Sequence, residues 1–133
     1  MHESGVGSLH NMNSVITGIF FPSLQMTDFT QKERINIWKG KSFAADSYTS
    51  ESFKAADITD KLNIPFYVFA GKFDMTTDYS LQKEYYDLVE ADIKGFYSFE
   101  DSAHSPLFEE PEKAKQILIN DVMNKKTDLA DKT

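Results

Sequence analysis

Residues Ile64-Pro65-Phe66-Tyr67-Val68-Phe69-Ala70 form an unbroken apolar run that stops at Gly71. A strand of aromatic and β-branched residues with no polar face has to be covered on both sides. A parallel sheet with helices above and below meets that condition. The residues downstream agree with it. Tyr79–Ala91 places Leu81, Tyr85, Leu88 and Val89 at helical spacing, and Phe96–Phe99 reads as a second short strand. Glu112–Asn124 reads as a helix with Pro111 near its first turn and Ala114, Ile117, Leu118 and Val122 on its apolar face. A helix between two such strands is a right-handed crossover joining parallel neighbours. The fold class is therefore α/β, with strand, helix, strand, helix over residues 62–124.

The first half differs in character. Residues 1–13 are rich in Gly, Ser and Asn and read as loop, and Val15, Ile16, Ile19, Phe20 and Phe21 form a short helix or turn closed by Pro22. Thr30 and Glu33 stand at the spacing of a capping box, in which hydroxyl and carboxylate each satisfy an open backbone N–H. This predicts a helix through about Trp38, stopped by Gly40. Residues 41–60 are polar with scattered aromatics, and residues 125–133 read as a frayed, flexible tail. Two parallel strands leave unpaired edges and uncovered faces, so the chain is expected to belong to a larger sheet or to be completed by other chains.

Composition narrows the function classes. Eleven Phe, six Tyr and one Trp supply a core, while 14 basic against 21 acidic residues give a formal charge of −7. That balance argues against binding phosphate backbones or anionic lipid surfaces, which takes clustered Lys and Arg. The absence of cysteine removes disulfides, thiolate metal sites and cysteine nucleophiles. His2 and His10 lie in a loop with no third ligand at useful spacing for zinc, so no metal and no cofactor is expected. No signal peptide or membrane span is visible, and the cytoplasm is the expected compartment.

In an open parallel sheet, reactive groups sit in loops at the carboxyl ends of strands. Asp74 follows the first predicted strand and His104 follows the second, so both fall on one edge, with neighbouring strands about 4.8 Å apart. A carboxylate beside an imidazole serves proton transfer: it fixes the tautomer and stabilises the charged ring. Each residue also has a plainer reading. Asp74 is a fitting turn former after Gly71, and His104 a loop histidine. Asp78 is a competing acid that reads better as the cap of the following helix, Asp101 is a turn residue or a partner behind the pair, and Glu109 and Glu110 read as charges favoured at a helix start. Phe20, Phe21, Phe29, Trp38, Phe43 and Tyr48 either line a substrate pocket or pack a lid.

The C-terminal half resembles the end of the α/β-hydrolase fold, particularly the proline-iminopeptidase-like group of serine hydrolases and peptidases. The matching motifs are Gly71-Lys72-Phe73-Asp74 after a strand, then Ser102-Ala103-His104-Ser105-Pro106 with Glu109-Glu110-Pro111 before the last helix. Their order, acid then histidine, is that of the family. The resemblance is strong over 62–123 and weak over 14–60, which is similar to the helical lid of that group. It implies lid helices over 1–61, part of the hydrolase core over 62–124, and Asp74 and His104 as the catalytic acid and base. The implied activity is hydrolysis of an ester, amide or N-terminal peptide bond through an acyl-serine, on a small molecule or short peptide.

The nucleophile is missing from this pattern. No Gly-x-Ser-x-Gly occurs, and Ser4 and Ser8 flank Gly5-Val6-Gly7 without a preceding strand. The chain is thus expected to be a C-terminal fragment, inactive alone, that is completed by a missing N-terminal part or by a second copy. The alternative is a non-catalytic binding or oligomerisation module made from half a hydrolase sheet.

Overall fold

The structure, a computed structural model, describes residues 9–47 and 60–132. A π-helical turn, Ile16–Phe20, runs into α1 (Phe21–Leu24), and α2 spans Gln31–Ser47. Pro22 lies in the first turn of α1, where its missing N–H costs nothing, and so continues the helix that it was expected to close. The capping box forms: the Thr30 N–H and hydroxyl donate to Glu33 Oε2 at 2.8 and 2.7 Å, and the Glu33 N–H donates back to Thr30 Oγ1 at 3.4 Å. Gly40 does not stop α2. A single exposed glycine weakens a helix by only about 1 kcal/mol, and nothing crowds this one. Arg34 binds α1 to α2 by donating to the carbonyls of Leu24 and Phe29, at 2.6 and 2.9 Å.

The second half has the elements β1 (Lys61–Leu62), β2 (Phe66–Gly71), α3 (Tyr79–Leu88), β3 (Glu90–Ala91), β4 (Lys94–Phe99), α4 (Pro106–Glu109) and α5 (Pro111–Ile117). A π-helical turn, Leu118–Val122, prolongs α5. β2 and β4 pair in parallel, with Phe66 opposite Lys94 and Gly71 opposite Phe99. The short β1 and β3 pair likewise. The helix expected to reach Ala91 therefore ends early: Val89 turns extended and Glu90–Ala91 join β1. Lys94 holds that end by donating to the carbonyls of Tyr86 and Val89, at 3.0 and 2.9 Å.

Alternation along the strands sorts the side chains onto two faces. Tyr97 and Phe99 pack with Ala114 and Ile117 on one face; Ala70 and Phe96 pack with Tyr86 on the other. Burying a residue of this size contributes about 1.5–3 kcal/mol. β4 is the covered strand. β2 is only half-buried over Phe66–Phe69, short of the two-sided burial that its apolar run predicts, because β4 is its one strand neighbour among the described residues. On α3 the buried residue is Tyr86, with Val89 buried just past its end, while Leu81 and Leu88 stay exposed.

The two sheet edges differ. On the side of β4 away from β2, Phe96 O accepts the Asp131 N–H at 2.9 Å and the Ser98 N–H donates to Asp131 Oδ2 at 3.0 Å. Lys113 Nζ donates to the Ser98 carbonyl at 2.6 Å. The residues expected to fray are instead tied along β4. Lys125, at φ 53°, turns the chain back, and the Leu129 N–H donates to Asp121 Oδ2 at 2.8 Å. The outer edge of β2, toward which the backbone groups of Tyr67 and Phe69 point, pairs with no strand among the described residues.

Candidate active site

Asp74 and His104 come together at the carboxyl ends of β2 and β4. Gly71 makes the approach possible: a β-carbon there would lie 1.9 Å from Ala103 O and 2.5 Å from Ser102 O, so only a bare backbone admits the histidine loop. The two loops are then stitched by backbone bonds. The Lys72 N–H donates to Phe99 O at 2.9 Å, and the Phe73 N–H donates to Ser102 O at 3.0 Å. A turn closed by the Asp74 N–H on Gly71 O sets the acid in place.

His104 Nδ1 lies 2.9 Å from Asp74 Oδ2. The carboxylate is buried, whereas the imidazole is 42% exposed. Burial alone would raise the Asp74 pKa. The N–H groups of Thr77 and Thr76, the imidazole and the Thr77 hydroxyl outweigh it and hold the carboxyl below its ordinary value. Oδ1 accepts the Thr76 and Thr77 N–H groups at 2.8 and 2.9 Å; Oδ2 accepts the Thr77 hydroxyl at 2.7 Å and Gln82 Nε2 at 3.3 Å. Asp74 thus serves its turn with one oxygen and the histidine with the other. An ionised carboxylate only accepts, so Nδ1 is the protonated nitrogen and Nε2 carries the lone pair. A ring in that state, oriented from behind by a buried charge, can take a proton at Nε2 and hold the resulting cation.

Several neighbours take part in the site beyond the two residues expected there. Thr77 follows Asp74 at a spacing that favours a side-chain-capped turn, a signal present in the sequence. Glu110 Oε1 accepts the Asp101 N–H at 3.1 Å and the Ser102 hydroxyl at 2.7 Å, and Glu109 Oε2 accepts the Ala103 N–H at 2.7 Å. These two carboxylates hold the histidine loop, a role beyond the helix-start charges expected of them. The His10 ring stacks on Phe73 at 3.7 Å between centroids, and its Nδ1 is 2.9 Å from Asp101 O. Asp78 caps α3 by accepting the Ser80 and Leu81 N–H groups.

Of the aromatics of the first half, Phe20 and Trp38 pack edge to face at 5.0 Å, with Trp38 Nε1 donating to Ser23 Oγ. Phe21, Phe29 and Phe43 are exposed. His2, Ser4, Ser8 and Tyr48 lie outside the described residues. Among the described residues, no group of three or more His, Asp or Glu side chains is suited to hold a metal ion, and no helix is long and apolar enough to cross a membrane.

The chain is similar to the probable aminopeptidase YbaC of Bacillus subtilis (strain 168), at 28% identity over 95 residues. The match covers 70% of this chain and 30% of that protein, so the chain spans under a third of its relative's length. No protein-family model matches the sequence, and no solved structure matches it.

Proposed function

We propose that this chain supplies the acid and base of a serine-hydrolase triad within an α/β-hydrolase-type sheet, and that the complete enzyme is a peptidase acting at N-terminal residues. The single observation that carries this reading is the 2.9 Å bond between a buried, ionised Asp74 and a half-exposed His104. In this reading Nε2 takes the proton of a serine hydroxyl as the oxygen attacks the scissile carbonyl. It then returns the proton to the leaving amine, while Asp74 stabilises the imidazolium. This reading needs a serine and oxyanion donors in addition to the pair, and no Gly-x-Ser-x-Gly occurs in the chain to supply them. The similarity to a probable aminopeptidase supports the substrate class.

A chimera carrying this chain in place of the matched stretch of the Bacillus subtilis protein tests the proposal, with an amino-acid arylamide as substrate. The expected result is hydrolysis that falls by about 10⁶-fold with His104→Ala, as loss of a triad histidine does. A folded, active chimera indifferent to His104→Ala would refute the assignment.

A second, non-catalytic reading is favoured by the outer edge of β2, which pairs with no strand among the described residues and is a template for pairing with another strand. Light scattering separates the two: self-association through that edge without any hydrolase activity in the chimera is the outcome that this reading predicts.

A further inference from the structure

Two adjacent carboxylates lie beside the proposed catalytic pair without touching it. Glu110 stands at the start of α5, where a charge is expected to serve the helix, yet its side chain makes no capping bond. Its Oε1 takes the Asp101 N–H and the Ser102 hydroxyl instead. Glu109 reaches the same loop through Oε2 to the Ala103 N–H, and its Oε1 accepts the His10 N–H. All three residues that precede His104 are therefore held by these two side chains. Ser102 and Ala103 are fully buried, so their polar groups have no water to fall back on.

The geometry comes from the short helix between them. Ser105 O accepts the Phe108 and Glu109 N–H groups, and Pro106 O accepts the Glu110 N–H, so that the chain doubles back within one turn. Pro106 and Pro111 each stand at the start of a helical segment, fixing the backbone on both sides of the glutamates. The hold extends to the acid. Ser102, whose hydroxyl is on Glu110, accepts the Phe73 N–H on its carbonyl, one residue before Asp74. His10, whose N–H is on Glu109, lays its ring on Phe73.

We propose that Glu109 and Glu110 are positioning residues for His104, fixing residues 101–103 so that the imidazole Nδ1 meets Asp74. This rests on the reading of Asp74 and His104 as an acid–base pair. The acceptor position matters here more than the charge. Glutamine at 110 keeps one oxygen able to accept both donors. Glutamine at 109 has one oxygen for two separated donors and keeps either Ala103 or His10.

The test is nuclear magnetic resonance of the 133-residue chain with ¹⁵N-labelled histidine, following exchange of the His104 Nδ1 proton with solvent. In the native chain that proton is expected to be protected, and to lose protection in Asp74→Asn. Glu110→Ala is expected to speed its exchange by about tenfold or more, since the Asp101 N–H and the Ser102 hydroxyl both lose their acceptor. Glu110→Gln should stay near native and Glu109→Gln should fall between. If Glu110→Ala fails to fold, Glu110→Asp carries the test, since it keeps the charge one methylene short of the loop. Protection kept in Asp and lost in Gln would overturn the proposal, as would a protected proton indifferent to all the glutamate variants. An unprotected Nδ1 in the native chain would instead defeat the acid–base pair itself, and the positioning role with it.

Discussion

The carbonyl oxygen of Ala103 occupies space within 1.9 Å of where a β-carbon on Gly71 would stand. The last residue of β2 and the residue before His104 are in backbone contact that no side chain permits. Gly71→Ala must push the histidine loop outward, because the obstructing atoms are backbone and cannot rotate away. Overpacking of this kind costs about 1–3 kcal/mol. We expect a lowered thermal midpoint and faster hydrogen exchange at the Phe73 amide, whose acceptor is Ser102 O.

Acid should weaken the fold through Asp74 in a calculable direction. Its folded pKa lies below the ordinary 3.8, so between the two values the unfolded chain binds more protons than the folded one. The stabilisation is complete above about pH 4 and is lost as pH falls through the folded value. Thermal midpoints of the native chain and of Asp74→Asn should differ most at neutral pH and converge in acid. A difference that grows on acidification would contradict the assignment.

The buried Asp121 secures the C-terminal segment. Tyr97 donates its hydroxyl to Asp121 Oδ2 at 2.8 Å, and the Leu129 N–H meets the same oxygen. Burial, reinforced by that hydrogen bond, holds the Tyr97 phenol far above its ordinary pKa. Asp121→Ala strands both donors and should cost about 1–3 kcal/mol. Amide exchange at Leu129 and Asp131 should rise as the segment leaves the edge of β4.

Thr30→Ala removes one half of the capping box that opens α2. A loss of about 1 kcal/mol is typical of such a cap. The effect should be confined to the first half of the chain, with faster amide exchange in the first turn of α2 and no change at β4.

The sequence announced the parts of this molecule whose burial leaves a periodic trace. The run to Ala70 forced a parallel sheet, the turn at Gly71 and the loop at His104 came with it as strand ends, and Thr30 with Glu33 marked a helix start. β1 and β3 are two residues long and carry no period to read. On α3 the apolar residues fall on both sides, so spacing alone selected Leu81 and Leu88 where the fold buries Tyr86. The residues after Asn124 look like a tail because polar side chains do the anchoring, with Asp131 and Asp121 taking backbone N–H groups. The work of Glu109 and Glu110 depends on a reversal of the chain over five residues, which places donors from 101–103 within reach. Composition at a helix start gives no hint of it.

The protonation state of His104 tests the central claim most directly. Nitrogen-15 spectra of the neutral imidazole, taken on the alkaline side of its own titration, should show Nδ1 protonated and Nε2 bare, with that preference lost in Asp74→Asn. A ring protonated at Nε2 in the native chain, unchanged by Asp74→Asn, would mean that the carboxylate does not orient the histidine, and the account of an acid–base pair would fail.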